Sequence, residues 1–253
     1  MTWQPPENFE EKLKRLFVPP DLYIRRLSRR EMRKGEREYP LVPFLVRRDR
    51  IALDVGANKG VYAALLAEHC LGVHAFEPNP KLFGILSRWA KPPKVIAHQI
   101  ALSDQTGTAE LMVPKSAHGY SNQGASLSKA KLDGQEYGGV SVETKRLDDL
   151  DLPPIGFMKI DVEGFECQML RGAAETLRRD RPTLLVEVEE RHNKRRLEDS
   201  LGEIAAYGYD CFALINGALT ALANVDLDIS HRKAGGDREY VNNFIFIAKD
   251  MAS

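Results

Sequence analysis

The chain has 253 residues, 43% of them hydrophobic, with 36 lysines and arginines balanced by 36 aspartates and glutamates for a formal net charge of +0 at pH 7. That length and apolar content suit one α/β domain with additions around a single core. The charge balance excludes a global field for nucleic acid or an anionic membrane, so any such affinity has to be local.

Three cysteines, Cys70, Cys167 and Cys211, are widely spaced and odd in number, which argues against a disulfide framework and for a reducing compartment. The opening MTWQPPENFEEKLKRL lacks the apolar core of a secretion signal, and no later apolar run approaches the roughly 20 residues that span a bilayer. A cytoplasmic protein without a membrane span is expected.

Residues 1–48 are charged and broken by Pro5-Pro6, Pro19-Pro20, Pro40 and Pro43, and read as a helical arm or cap ahead of a main domain over 49–253. Within the arm, Arg25–Arg37 carries seven basic residues against two acids. Such a run could hold a phosphate or an acidic acceptor, though charge runs usually are solvated helix faces.

The first chemical signal is IALDVGANKG, Ile51–Gly60. An apolar strand ends in Asp54 and passes through Gly56, Asn58 and Gly60 into a helix-patterned VYAALLA. Glycine and asparagine tolerate the positive φ of a tight turn, and glycine lets a backbone lie against a ligand. The amides of the following helix N-terminus would be open to an electron-rich group.

A second strand, Val73–Phe76, ends in Glu77, about 20 residues beyond the turn, where an acid can accept hydrogen bonds from both ribose hydroxyls of a nucleotide-like ligand. A third strand is read through KVIAHQIALS, with backbone near Ala101 and Ser103 beside the base of such a ligand. TAELMV and VSVETKRLDDL read as strands of an insertion at about 105–150, and Pro114–Gly139 as a long loop over the cleft in which His118, Tyr120, Asn122 and Ser126 could meet an acceptor.

IGFMKIDVEGFECQML is a buried strand, a turn and a helix, with Asp161 at the strand's carboxyl end and Glu163 and Glu166 just beyond. Ligands in open α/β sheets sit outside strand carboxyl ends. TLLVEVEERH follows as a strand with Glu187 and Glu189 on one face and His192 beyond its end. CFALI, a turn at Asn216-Gly217 and NFIFIAK close the chain and suggest an antiparallel edge.

Taken in order, DVGANKG, FEPNP, ALSDQTG, RLDDL, FMKIDVEGFE and NFIFIAK resemble the FkbM family of S-adenosylmethionine-dependent methyltransferases, from about Ile51 onward. The resemblance implies a class I, Rossmann-like fold: a three-layer αβα sandwich on a seven-stranded, mostly parallel sheet with an antiparallel edge. It implies S-adenosyl-L-methionine as the methyl donor and a hydroxyl of a sugar or natural product as the acceptor. Asp54, Gly56, Asn58 and Gly60 would surround the donor's methionine part, Glu77 its ribose, and Asp161 would flank the reacting methyl.

A hydroxyl needs a base as its bond to carbon forms. Asp161 is the first choice, Glu163 the second, and His192 a third. Asp161 and Glu163 with Glu187 and His192 could instead hold Mg²⁺ or a similar hard cation, although no ligand spacing is diagnostic and no metal is assigned. Two rivals share parts of the pattern. A nicotinamide-dependent oxidoreductase wants G-x-G-x-x-G, which this turn lacks, and a non-catalytic donor-binding module would share the fold alone. No Asn-Pro-Pro-aromatic tetrad supports methylation of nucleic acid.

Overall fold

The computed structural model describes residues 16–116, 119–128, 136–233 and 240–249, together with 3, 5, 6, 11, 13, 131 and 134. In chain order the strands are β1 Ile51–Val55, β2 Val73–Phe76, β3 Val95–His98, β4 Ala101–Leu102, β5 Gly107–Ser116, β6 Gly119–Tyr120, β7 Tyr137–Lys145, β8 Ile155–Ile160, β9 Thr183–Glu187, β10 Tyr209–Ile215, β11 Ala218–Ala221 and β12 Asn243–Ala248. The principal helices are α1 Pro20–Lys34, α2 Val61–Leu66, α3 Pro80–Trp89, α4 Glu166–Arg171, α5 Ala174–Asp180 and α6 Leu197–Ala205. None of the helices among the described residues is long and apolar enough to cross a membrane.

The main sheet runs β11-β10-β12-β9-β8-β1-β2-β3, with β3, β2, β1, β8 and β9 parallel, β12 antiparallel to β9, and β10 antiparallel to β12 and so aligned with the first five. β1 and β8 are buried along their whole length, as expected for central parallel strands covered on both faces. Alternation sorts their side chains: Ala52, Phe157, Leu185 and Ile245 pack toward α1, α2 and α3, while Leu53, Met158, Leu184 and Phe246 pack toward α4, α5 and α6. The result is the expected three-layer αβα sandwich, with eight strands rather than seven. The extra strand is β11, which pairs with β10 across Asn216 and Gly217, both at positive φ. That is the turn an Asn-Gly pair favours in a two-residue hairpin. β12 arrives later in the chain and inserts between β10 and β9.

Two further expectations change. The third strand breaks after His98, and Ala101–Leu102 joins a separate sheet of order β4-β7-β5-β6. The two ends of the presumed loop Pro114–Gly139 are strand: β5 extends to Ser116, β7 starts at Tyr137, and between them Ser126 bridges back to Met112. Cross-strand pairing over the length of β5 and β7 overrides the Gly- and Ser-rich composition there. His118 lies outside the described residues.

From β1 the chain moves outward to β2 and β3 and returns on the other side of β1 at β8. The order therefore reverses between β1 and β8, and a crevice opens beyond their carboxyl ends.

Candidate active site

Two adjoining cavities fill this crevice and share Gly56, Asn58, Asp161 and Glu163. The first, open to solvent, spans about 630 Å³ and is walled by Phe76, Glu77, Ile100, Ala101, Leu102 and Leu111. The second, about 1510 Å³, lies on the α1 side and is walled by Arg30, Lys34, Glu36, Tyr62, Lys159 and Glu187.

The glycine-rich turn is built for close approach. Gly56 has φ 79°, and a Cβ there would stand 1.8 Å from the Asp161 carbonyl oxygen, so the ends of β1 and β8 touch through bare backbone. Asn58 also takes a positive φ, 54°, and donates its amide to Glu77 Oε2 at 2.7 Å. Gly60 has a different job. It lies off both cavities, where a Cβ would meet Trp89 Cζ2 at 2.3 Å, and it starts α2 at φ 83°. At the start of α2, Asp54 Oδ2 accepts from the Ala63 amide at 2.8 Å, and Val61 and Tyr62 line the second cavity. Asp54 lines the same cavity and holds one amide of the helix's first turn.

FEPNP positions Glu77. Asn79 caps α3, its side chain accepting from the Lys81 amide with Pro80 in the first turn, and its own amide donates to Glu77 Oε1 at 2.8 Å. Each Glu77 oxygen thus holds one backbone amide and keeps capacity to accept another donor. Burial pushes its carboxyl up to about 8 despite those bonds.

At the end of β8, Asp161 lines both cavities. Its carboxyl is pushed up to about 6 by burial, with Lys159 pulling it down and Glu163 and Glu36 pushing it up. Oxygens of Asp161, Glu36 and Glu187 lie within 4.8 Å of one another. One ammonium serves all three. Lys159 is buried, donates to Asn243 Oδ1 at 2.9 Å, sits 3.4 Å from Glu36 Oε2, and lies 5.0 Å from the Tyr62 ring centroid. Burial alone would lower its pKa, but Glu36, Asp161 and Glu187 hold it above the usual lysine value. Tyr62 OH donates to Glu36 at 2.6 Å. Glu187, pushed up to about 9 by burial and Asp161, keeps its proton at neutral pH.

Glu163 sits at φ 55° and Gly164 at φ 96°, where a Cβ would meet the His192 carbonyl at 2.7 Å. This turn carries Glu163 to Lys131 Nζ at 2.5 Å and to His192 Nδ1 at 3.1 Å. Its carboxylate is occupied by those partners. His192 lies off both cavities, and burial holds its imidazole below the ordinary value. The hard-cation set considered from sequence is therefore divided: Glu163 and His192 pair with each other, while Asp161 and Glu187 join Glu36. Ala101 lines the first cavity, but Ser103 does not; its amide is bound to the Lys145 carbonyl. Asn122 and Ser126 also wall the first cavity rather than an acceptor site, tied down through Asn79 and the Glu163 carbonyl.

Glu36 and Lys159 were missed from sequence. Glu36 lay hidden in the basic arm, and Lys159 read as an interior strand position; a lysine amid FM-K-ID is the one signal that pointed to it.

Several buried carboxyls hold their protons more tightly in the fold than in an unfolded chain: Asp54 and Glu166 at about 7, Glu77 at about 8, Glu187 at about 9. Their contribution to stability is complete below the ordinary carboxylate value and is lost as pH climbs through those values. His74, His98 and His192, lowered by burial, oppose this only below their ordinary value near 6.5. We expect the melting temperature of the free protein to fall steadily between pH 7 and pH 9, a range set by the same carboxyls. A flat or rising melting curve by scanning fluorimetry would remove this electrostatic picture.

Residues 54–211 match the family described as the Methyltransferase FkbM domain. The chain is 29% identical over 157 residues to 2-O-methyltransferase NoeI of Sinorhizobium fredii, covering 56% of this chain and 64% of that protein. It is 28% identical over 135 residues to hexuronic acid methyltransferase AglP of Haloferax volcanii, covering 51% and 52%. The matches thus span between half and two-thirds of the length of these curated relatives. A solved structure of Methyltransferase FkbM from Methylobacillus flagellatus KT aligns with 16% identity and TM-score 0.48, covering 89% of this chain and 53% of that one.

Proposed function

The chain belongs to the FkbM methyltransferase family, and from that premise we propose that it methylates a hydroxyl of a sugar or related natural product, with S-adenosyl-L-methionine as donor. The observation that carries this reading is the pairing of the two cavities around Asp161. One suits a nucleoside, the other a polar acceptor. A sugar acceptor fits the names of the two curated relatives, a 2-O-methyltransferase and a hexuronic acid methyltransferase.

The residues present suit the donor. Glu77 is buried with spare acceptor capacity for ribose hydroxyls, the apolar side chains of Phe76, Ile100 and Leu102 suit a flat base, and Gly56 leaves backbone bare beside Asp161. When bound, the donor supplies an electrophilic methyl carbon on a sulfonium. Asp161, near the protonation balance of a base working at neutral pH, takes the acceptor hydroxyl's proton. The nearby Lys159 ammonium favours the charged form of Asp161, and Glu36 with Tyr62 lines the acceptor side. Alignment of the acceptor oxygen is the remaining task, and the walls of the second cavity perform it. Glu163 and His192 brace the turn that carries Asp161.

Glu77→Ala should weaken binding of S-adenosylhomocysteine by about 1–3 kcal/mol, through loss of the buried hydrogen bonds to the ribose hydroxyls. Calorimetric affinity equal to that of the wild type would remove Glu77 from the ribose site. The activity itself is tested by incubating the protein and S-adenosyl-L-methionine with a panel of hexoses, hexuronic acids and oligosaccharides. A methyl mass increment on one of them, matched by S-adenosylhomocysteine release, is expected. Methyl transfer only to a non-carbohydrate acceptor would overturn the sugar assignment.

A further inference from the structure

The helix α1 is fixed to the domain by Ile24, which is buried, and by half-buried Leu27, Ser28 and Glu31. The 3.6-residue period then turns Leu22, Arg25, Arg26, Arg29, Met32 and Arg33 outward, and all of these are exposed. Arg30 and Lys34, on the flank, reach the wall of the second cavity. Arg25, Arg26, Arg29, Arg30, Arg33 and Lys34 have no ion-pair or hydrogen-bond partner among the described residues. A chain of zero formal charge therefore gathers a block of uncompensated cations on one helix. Large apolar side chains stand exposed on the same arm: Leu16 at 72%, Phe17 at 76%, Leu22 at 58%, Met32 at 47% and Phe44 at 85%.

A face kept only for solubility mixes both signs and avoids exposed phenylalanines. Unpaired arginines interleaved with bulky apolar groups fit a surface that is anionic outside and greasy beneath, which a bilayer of acidic phospholipid supplies. RNA would engage the arginines and can stack on phenylalanine, but it offers no hydrocarbon layer to Leu22 and Met32, which share the arginine face. We propose that the outer face of this arm docks on an anionic membrane surface, bringing the mouth of the second cavity to acceptors carried there. The docking rests on the arm alone and is tested without activity, while the delivery of acceptors to the second cavity rests on the methyl-transfer reading.

The test is co-sedimentation of the full chain with vesicles of phosphatidylcholine alone and with vesicles carrying about one-third phosphatidylglycerol. We expect binding to the anionic vesicles only, weakening as salt is raised. Each cation at such a surface multiplies affinity about fivefold, so the combined Arg25→Gln, Arg26→Gln, Arg29→Gln and Arg33→Gln variant should bind on the order of several hundredfold more weakly. Its melting temperature should change little, because these side chains are exposed and have no hydrogen-bond or ion-pair partner among the described residues, and the matching lysine variant should keep binding. Equal binding to both vesicles, no binding to either, or full binding by the glutamine variant would each overturn the proposal. So would displacement from anionic vesicles by a single-stranded RNA homopolymer at lower charge concentration, which would make nucleic acid the partner.

Discussion

Asp161→Asn is expected to lower turnover by about 10²- to 10⁴-fold, the range for loss of a general base. The affinity for S-adenosylhomocysteine should change far less, because asparagine keeps the shape of the side chain and the backbone contact of Asp161 with Val55 is untouched. The pH profile separates this from a structural effect. The Asp161 carboxyl sits at about 6, so the wild-type rate should rise as pH climbs through that value and the base loses its proton. The asparagine variant should lose that limb. Glu163→Gln should do less to the rate, since Glu163 already serves Lys131 and His192. Wild-type kinetics in the Asp161 variant would move the base elsewhere.

Gly56→Ala should be severe by a different route. An alanine at φ 79° carries a backbone strain of about 1–2 kcal/mol, and its Cβ would lie 1.8 Å from the Asp161 carbonyl oxygen. Backbone has to move to relieve that clash, which adds about 1–3 kcal/mol and separates the ends of β1 and β8, where both cavities meet. Loss of stability and of donor affinity should appear together. Gly84→Ala provides the contrast: it lies within α3 with nothing within 4 Å of its Cβ position, so it should stabilise the protein by about 0.5–1 kcal/mol. Chemical denaturation of both variants checks the pair, and a Gly56→Ala protein as stable and as tightly binding as the wild type would refute the close-approach argument.

These two positions were legible in the sequence because their signals are local. A strand ending at Asp54 followed by Gly56, a strand ending at Glu77 followed by Pro78, and a strand ending at Asp161 each announce a βα turn within about ten residues. Sheet order then brings the three turns together. Partners remote in the chain were not legible. Glu36 reaches Lys159 from 123 residues away, and the pairing of Glu163 with His192 depends on how two turns fold against each other. Gly60 was singled out by the same glycine logic as Gly56, yet its free space is filled by Trp89 and Leu86. A positive φ favours glycine whether a ligand or a side chain lies beyond it. In the insertion, TAELMV and VSVETK were legible as strands, but their extensions Pro114–Ser116 and Tyr137–Gly139 were not, because proline and glycine there are held by pairing with neighbours rather than by propensity.

The account turns on a nucleoside-bearing sulfonium lodging between the Gly56 turn and Glu77. Isothermal titration of the full chain with S-adenosylhomocysteine and, separately, with NAD⁺ addresses this most directly. Saturable heat with S-adenosylhomocysteine and none with NAD⁺ is the predicted result; uptake of NAD⁺ in its place, or silence with both, would contradict it.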